Sequence, residues 1–64
     1  MIQFTVKQAR THANLTQEEM AKMLNMSRFT YRKYETHPEM ITIEKARKIS
    51  EITNIPMDMI FFAN

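Results

Sequence analysis

Side-chain chemistry needs nucleophiles, matched acids and bases, or clustered metal ligands, and this sequence is sparing with all three. It contains no cysteine and no glycine. His12 and His37 stand far apart with no Ser or Asp pattern beside them, so neither reads as part of a nucleophilic or acid-base pair. Two isolated histidines without cysteine or clustered carboxylates argue against a structural metal, and no phosphate-cradling glycine loop can be built. Glu18 and Glu19 are adjacent, but at the start of a helix the macrodipole favours negative charge, which makes them helix stabilisers rather than catalysts. No catalytic residue, metal or cofactor is expected.

What the chain does concentrate is ring and charge. The stretch MSRFTYRKYE, residues 26 to 35, holds Arg28, Arg32 and Lys33 together with Phe29, Tyr31 and Tyr34. On a helix advancing about 100° per residue, Ser27, Thr30, Tyr31 and Tyr34 gather on one side and Arg28, Phe29, Arg32 and Lys33 on the other. Tyr31 and Tyr34 read as core, their hydroxyls reaching a partner or the domain edge. Phe29 shares its face with three cations, and an exposed ring in water invites a reason. Three readings fit that face: a solvated charged surface, a protein-binding surface, or a helix set against nucleic acid.

The elements that must position these residues belong to one domain, residues 1–64, whose thin core makes dimerisation a natural source of added stability. Nine basic against seven acidic residues, net charge +2, lean only weakly toward a polyanionic partner. No apolar run approaches the roughly 20 residues of a membrane span, and MIQFTVKQAR lacks the apolar core of a signal peptide, so a soluble, cytoplasmic protein is expected.

Without glycine, helix ends must use the next best residue for the left-handed conformation, which is asparagine. Asn14-Leu15-Thr16, Asn25-Met26-Ser27 and Asn54-Ile55-Pro56 each read as a helix stop, an apolar anchor and a helix start. Thr5 with Gln8 and Thr16 with Glu19 form capping boxes, and Thr42 is a further N-cap. Five helices are predicted at about 6 to 13, 17 to 24, 28 to 35, 43 to 53 and 57 to 61, an all-α domain. In the second, Met20, Ala21 and Leu24 turn inward. Pro38 disfavours helix at His37, within the longer connection 35 to 42. Ile2 and Phe4 alternate with Gln3 and Thr5, as in an extended arm or a short edge strand that would pair with residues 60 to 63.

A helix, a short turn and a second helix directly before the charged face raise the nucleic-acid reading above the other two. The stretch QEEMAKMLNMSRFTYRKYE, Gln17 to Glu35, resembles the helix-turn-helix of the Cro/CI-type (XRE) family of small bacterial and phage repressors. Leu15-Thr16-Gln17 leads into the second helix, Ala21 lets the helices approach, Met26 and Tyr31 take apolar core positions, and Glu35 closes the third helix. The later segment IEKARKISEITNIPMDMIFF is similar to the family's last two helices. Three positions depart from the pattern: Asn25 stands where glycine is usual, Tyr31 replaces Ile or Val, and the loop after Glu35 lacks the common Asn-Gly-Lys.

The resemblance implies a compact five-helix, lambda-repressor-like DNA-binding domain. It implies base reading by Ser27, Arg28, Phe29 and Lys33, phosphate contacts by Thr16, Gln17, Lys22 and Arg32, and a partly buried salt bridge between Arg10 and Glu35. The implied partner is a double-stranded operator bound as a dimer and repressed by occlusion, with no membrane and no small-molecule ligand. Met57, Met59, Ile60, Phe61 and Phe62 are too many large apolar groups for a short terminal helix to bury, so part of this cluster reads as the dimer interface and the rest as a cap on the core beneath the fourth helix. Lys45, Arg47 and Lys48 could flank DNA but read more readily as a solvated helix face. The rival function is a protein-interaction module or antitoxin-like regulator, for which the methionines and Phe29 would supply an adaptable surface.

Overall fold

The computed structural model describes residues 3–61. Strand β1 (Phe4–Thr5) leads directly into α1 (Val6–His12), followed by α2 (Gln17–Met23) and α3 (Arg28–Thr36). A 3-10 turn at Pro38–Met40, helix α4 (Ile43–Thr53), a second 3-10 turn at Met57–Met59 and strand β2 (Ile60–Phe61) complete the order.

Each helix begins where a hydroxyl can satisfy an orphan amide. Thr5 and Gln8 exchange bonds of 3.1 and 2.9 Å, as do Thr16 and Glu19. Ser27 accepts from the Thr30 amide and Thr42 from that of Lys45. The stops are equally regular. Asn14, Asn25 and Asn54 all have left-handed backbones, with φ of 60°, 58° and 59°. The next amide in each case reaches back five residues: Leu15 to the Arg10 carbonyl, Met26 to Ala21, Ile55 to Ser50. That bond satisfies an open carbonyl at the helix end, and the apolar residue after each asparagine then packs on the core.

The core joins α1, α2, α3 and α4 through Val6, Ala9, Met20, Ala21, Leu24, Tyr31, Ile49, Ile55 and Ile60. Tyr31, Met20, Ala9 and Ile49 are wholly buried.

The all-α, five-helix expectation needs correcting at its last element. Residues 57 to 61 form a 3-10 turn and a strand, leaving four α-helices among the described residues, and β2 pairs in parallel with β1, Phe4 opposite Ile60 and Thr5 opposite Phe61. Five residues are too few to offset the cost of nucleating an α-helix, and Pro56 holds an extended backbone just before them. Pairing with β1 instead satisfies the backbone and carries Ile60 into the core. The extended arm is therefore a strand from Phe4; Ile2, Phe62 and Ala63 lie outside the described residues.

Candidate nucleic-acid interface

Helices α2 and α3 meet across a four-residue turn, Leu24 to Ser27, that is closed by the left-handed Asn25. Small Ala21 is 2% exposed where α2 packs into the core, and Tyr31 on α3 is fully buried. The phenol is large for such a site, and its polar end has a specific acceptor. Tyr31 Oη donates to Glu35 Oε2 at 2.6 Å, one helical turn further along α3.

Glu35 gathers more than this one donor. Arg10 Nε on α1 donates to the same Oε2 at 2.7 Å, and Gln17 Nε2 at the start of α2 donates to Oε1 at 3.0 Å. Arg10 Nη1 also donates to the Leu15 carbonyl at 2.7 Å, tying the node to the α1–α2 connection. Three helices thus converge on one carboxylate, whose side chain is 7% exposed against 10% for Arg10.

Burial alone would push the Glu35 carboxyl up, but the bonds from Arg10, Tyr31 and Gln17 outweigh it and hold that carboxyl below the usual range. Burial likewise works against the Arg10 charge, and the bond and charge of Glu35 overcome it, raising the guanidinium's pKa. Burial and the bond to Glu35 both push the Tyr31 phenol up, so it stays a neutral donor. All side-chain polar atoms buried among the described residues have partners. The node fixes how α3 sits on α1 and α2.

The opposite side of α3 is built differently. Arg28, Phe29, Arg32 and Lys33 are all exposed, Phe29 at 69%. Lys33 Nζ lies 5.0 Å from the centre of the Phe29 ring, within cation–π range. Arg28 reaches a depression between the N-terminal turns of α2 and α3 that Thr16, Gln17 and Lys22 also line, with Glu18 and Glu19 at its wall.

A family model described as helix-turn-helix matches residues 6–60. The chain belongs to the Cro/CI-type (XRE) helix-turn-helix family. It is accordingly a DNA-binding regulatory domain, of a family that is not typically enzymatic. No curated protein and no solved structure matches the chain significantly. Among the described residues no cluster of His, Cys, Asp or Glu could hold a metal, and no helix is long and apolar enough to cross a membrane.

Within this family frame, several side chains carry structural duties that their spacing alone does not reveal. The Gln17 carboxamide nitrogen is engaged with Glu35, so Gln17 turns its amide inward. Ser27 and Thr30, grouped with the tyrosines on the helical wheel, are exposed: Ser27 Oγ accepts from the Thr30 amide and donates to Thr30 Oγ1. The Thr16 hydroxyl is likewise occupied by the Glu19 amide. Tyr34 is half-buried, edge-on to Tyr31 with ring centres 6.4 Å apart.

The solvated-face expectation fails for Lys45, which is half-buried and donates from Nζ to the Leu24 carbonyl at 3.3 Å, clasping α4 to the end of α2. Arg47 and Lys48 are exposed. Ile60 is corrected as an interface residue, because it is 4% exposed and belongs to the chain's own core. Met57 and Met59 are half-buried, Met59 against that core. Phe61 belongs to β2, and Phe62 lies outside the described residues.

Proposed function

We propose that the domain is a sequence-specific transcriptional repressor that binds a palindromic operator as a dimer, with α3 in the major groove. The observation that carries this reading is the outer face of α3, where three cations and an exposed ring stand on a helix locked from behind by the Arg10–Gln17–Tyr31–Glu35 node. A rigid helix offering arginine is suited to base edges, since a guanidinium can donate two parallel bonds to guanine O6 and N7.

In this reading Arg28 takes the guanine, Phe29 packs on a thymine methyl, Lys33 reaches a guanine or a phosphate, and Ser27 sits at the base edges with one acceptor position to spare. Arg32, Lys22, Thr16 and the backbone N–H of Gln17 meet phosphates and set the register. One such helix reads few base pairs, so two copies on half-sites about 34 Å apart supply the remaining specificity. Met57, Met59, Phe61 and Phe62 are the residues left for the contact between copies. Repression follows from occupancy of the operator.

Selection of bound sequences from random duplex DNA tests this directly. The expected result is an imperfect palindrome with half-sites one helical turn apart, bound with an affinity that falls roughly linearly in log–log terms as salt rises. Affinity indifferent to salt, with no enriched sequence, would reassign the face to a protein partner.

A further inference from the structure

The three cations on the outer face of α3 are not equivalent. Arg28 and Arg32 make no side-chain hydrogen bond, ion pair or ring contact with the described residues, whereas Lys33 Nζ rests 5.0 Å from the Phe29 ring centre. Phe29 precedes Lys33 by four positions on α3, the spacing at which helix side chains meet. The ring is also too exposed, at 69%, to be explained by the core.

Lysine is a flexible stem carrying a compact, strongly hydrated charge, and much of its rotamer freedom is lost when it is held in one place. A ring face that attracts the ammonium removes part of that freedom before any partner arrives. The contact also covers one side of an otherwise bare phenyl group. Phe29 and Lys33 therefore form one unit, an uncharged ring that fixes where a charge stands.

We propose that Phe29 is a positioning residue for Lys33, and that its contribution to DNA affinity passes largely through that ammonium. The proposal rests on the reading of α3 as the DNA-facing helix, and it differs from that reading in what it asks of Phe29: the ring acts on its neighbour as well as on a thymine.

The test is a double-mutant cycle on one duplex recovered by the selection, with a scrambled duplex of equal length as reference. The variants are Phe29→Leu, which keeps apolar bulk but removes the π face, Phe29→Tyr, which keeps it, Lys33→Met, and the Phe29→Leu/Lys33→Met pair. Phe29→Leu is expected to weaken binding about two- to fivefold in the wild-type background. Its effect should largely vanish once Lys33 is methionine, and Phe29→Tyr should keep a salt slope close to wild type. Lys33→Met should lower the salt slope by about one unit, and Phe29→Leu by part of that although it removes no charge. Because both residues are exposed, melting should not move in any variant. Losses that add independently, with a wild-type slope in Phe29→Leu, overturn the proposal while leaving α3 on DNA. A wild-type affinity that ignores salt overturns the DNA reading and the proposal together.

Discussion

On the inner side of α3, Glu35 receives Arg10, Tyr31 and Gln17 at 2.7, 2.6 and 3.0 Å, while on its outer side Arg28 and Arg32 make no side-chain hydrogen bond, ion pair or ring contact among the described residues. Both sides are rich in polar and charged groups. Inside, every charge has a partner and the bonds from Arg10 and Gln17 tie α1 and α2 to α3, so the electrostatics act as geometry. Outside, the charges are unspent, and their desolvation is deferred until a polyanion supplies the counter-charge. On the proposed reading, the inner node is what lets α3 be held rigidly against DNA.

The comparison is broken most severely from the inside. Tyr31→Ala removes a fully buried ring and one of Glu35's donors, for a loss of about 3 to 5 kcal/mol. A domain of 64 residues has only roughly 3 to 10 kcal/mol in total, so the variant should be strongly destabilised, melting far below wild type by circular dichroism. A cooperative melt close to wild type would mean that Tyr31 is not the centre of the core.

Changing only the charge of the node is milder. Glu35→Gln keeps the shape but leaves Arg10 against a neutral amide, at a cost of about 1 to 3 kcal/mol. The sign of the pH dependence follows from the same contacts. Glu35 titrates below its ordinary value in the folded state, so its contribution is complete above the unfolded carboxyl pKa of about 4.3 and is lost as pH falls through the lower folded value. Tyr31 is shifted upward, so its contribution is complete below the ordinary phenol value of about 10 and declines as pH rises beyond it. Melting followed from acid to alkaline conditions should lose its acid limb in Glu35→Gln and flatten its alkaline limb in Tyr31→Phe. An unchanged acid limb in Glu35→Gln would place the titrating group elsewhere.

Breaking the outer face should leave melting alone. Arg28→Ala is expected to cost about 1 to 3 kcal/mol of operator affinity and to relax preference at one base pair, with the midpoint of unfolding unmoved. A drop in stability equal to the drop in affinity would erase the distinction between the two sides.

The division was only partly legible in the sequence, and the reason is distance along the chain. Caps and stops are local: Thr16 meets Glu19 and Asn25 closes its own turn, so spacing alone exposes them. The separation of Tyr31 from Arg28 and Arg32 needs only helical periodicity. By contrast Gln17 to Glu35 and Lys45 to Leu24 are bonds of 18 and 21 positions, visible only once the helices are packed. The pairing of Phe4 with Ile60 is longer still; the alternation at residues 2 to 5 points to it, but residues 57 to 61 also read as a helix, and the pairing overrides that helical appearance. Phe29 and Lys33 fall between these cases: the four-residue spacing is plain, yet on the wheel it shows a shared face and not a contact.

The turn between α2 and α3 offers the smallest and most discriminating change. Asn25 sits at φ 58°, close to Asn14 at 60° and Asn54 at 59°, and an alanine there would strain the left-handed backbone by about 1 kcal/mol. Glycine would relieve the strain but lose more chain entropy on folding, so Asn25→Gly should stay within several tenths of a kcal/mol of wild type. Equal φ values predict equal losses for alanine at all three asparagines, measured by chemical unfolding. They do not predict equal consequences for DNA, because only Asn25 joins the two helices whose relative orientation sets the outer face. Asn25→Gly should therefore retain both affinity and salt slope. If it kept its stability but lost affinity, the asparagine side chain would itself be touching the duplex, and Asn25 would belong with Arg28 and Lys33 on the outer side of the comparison.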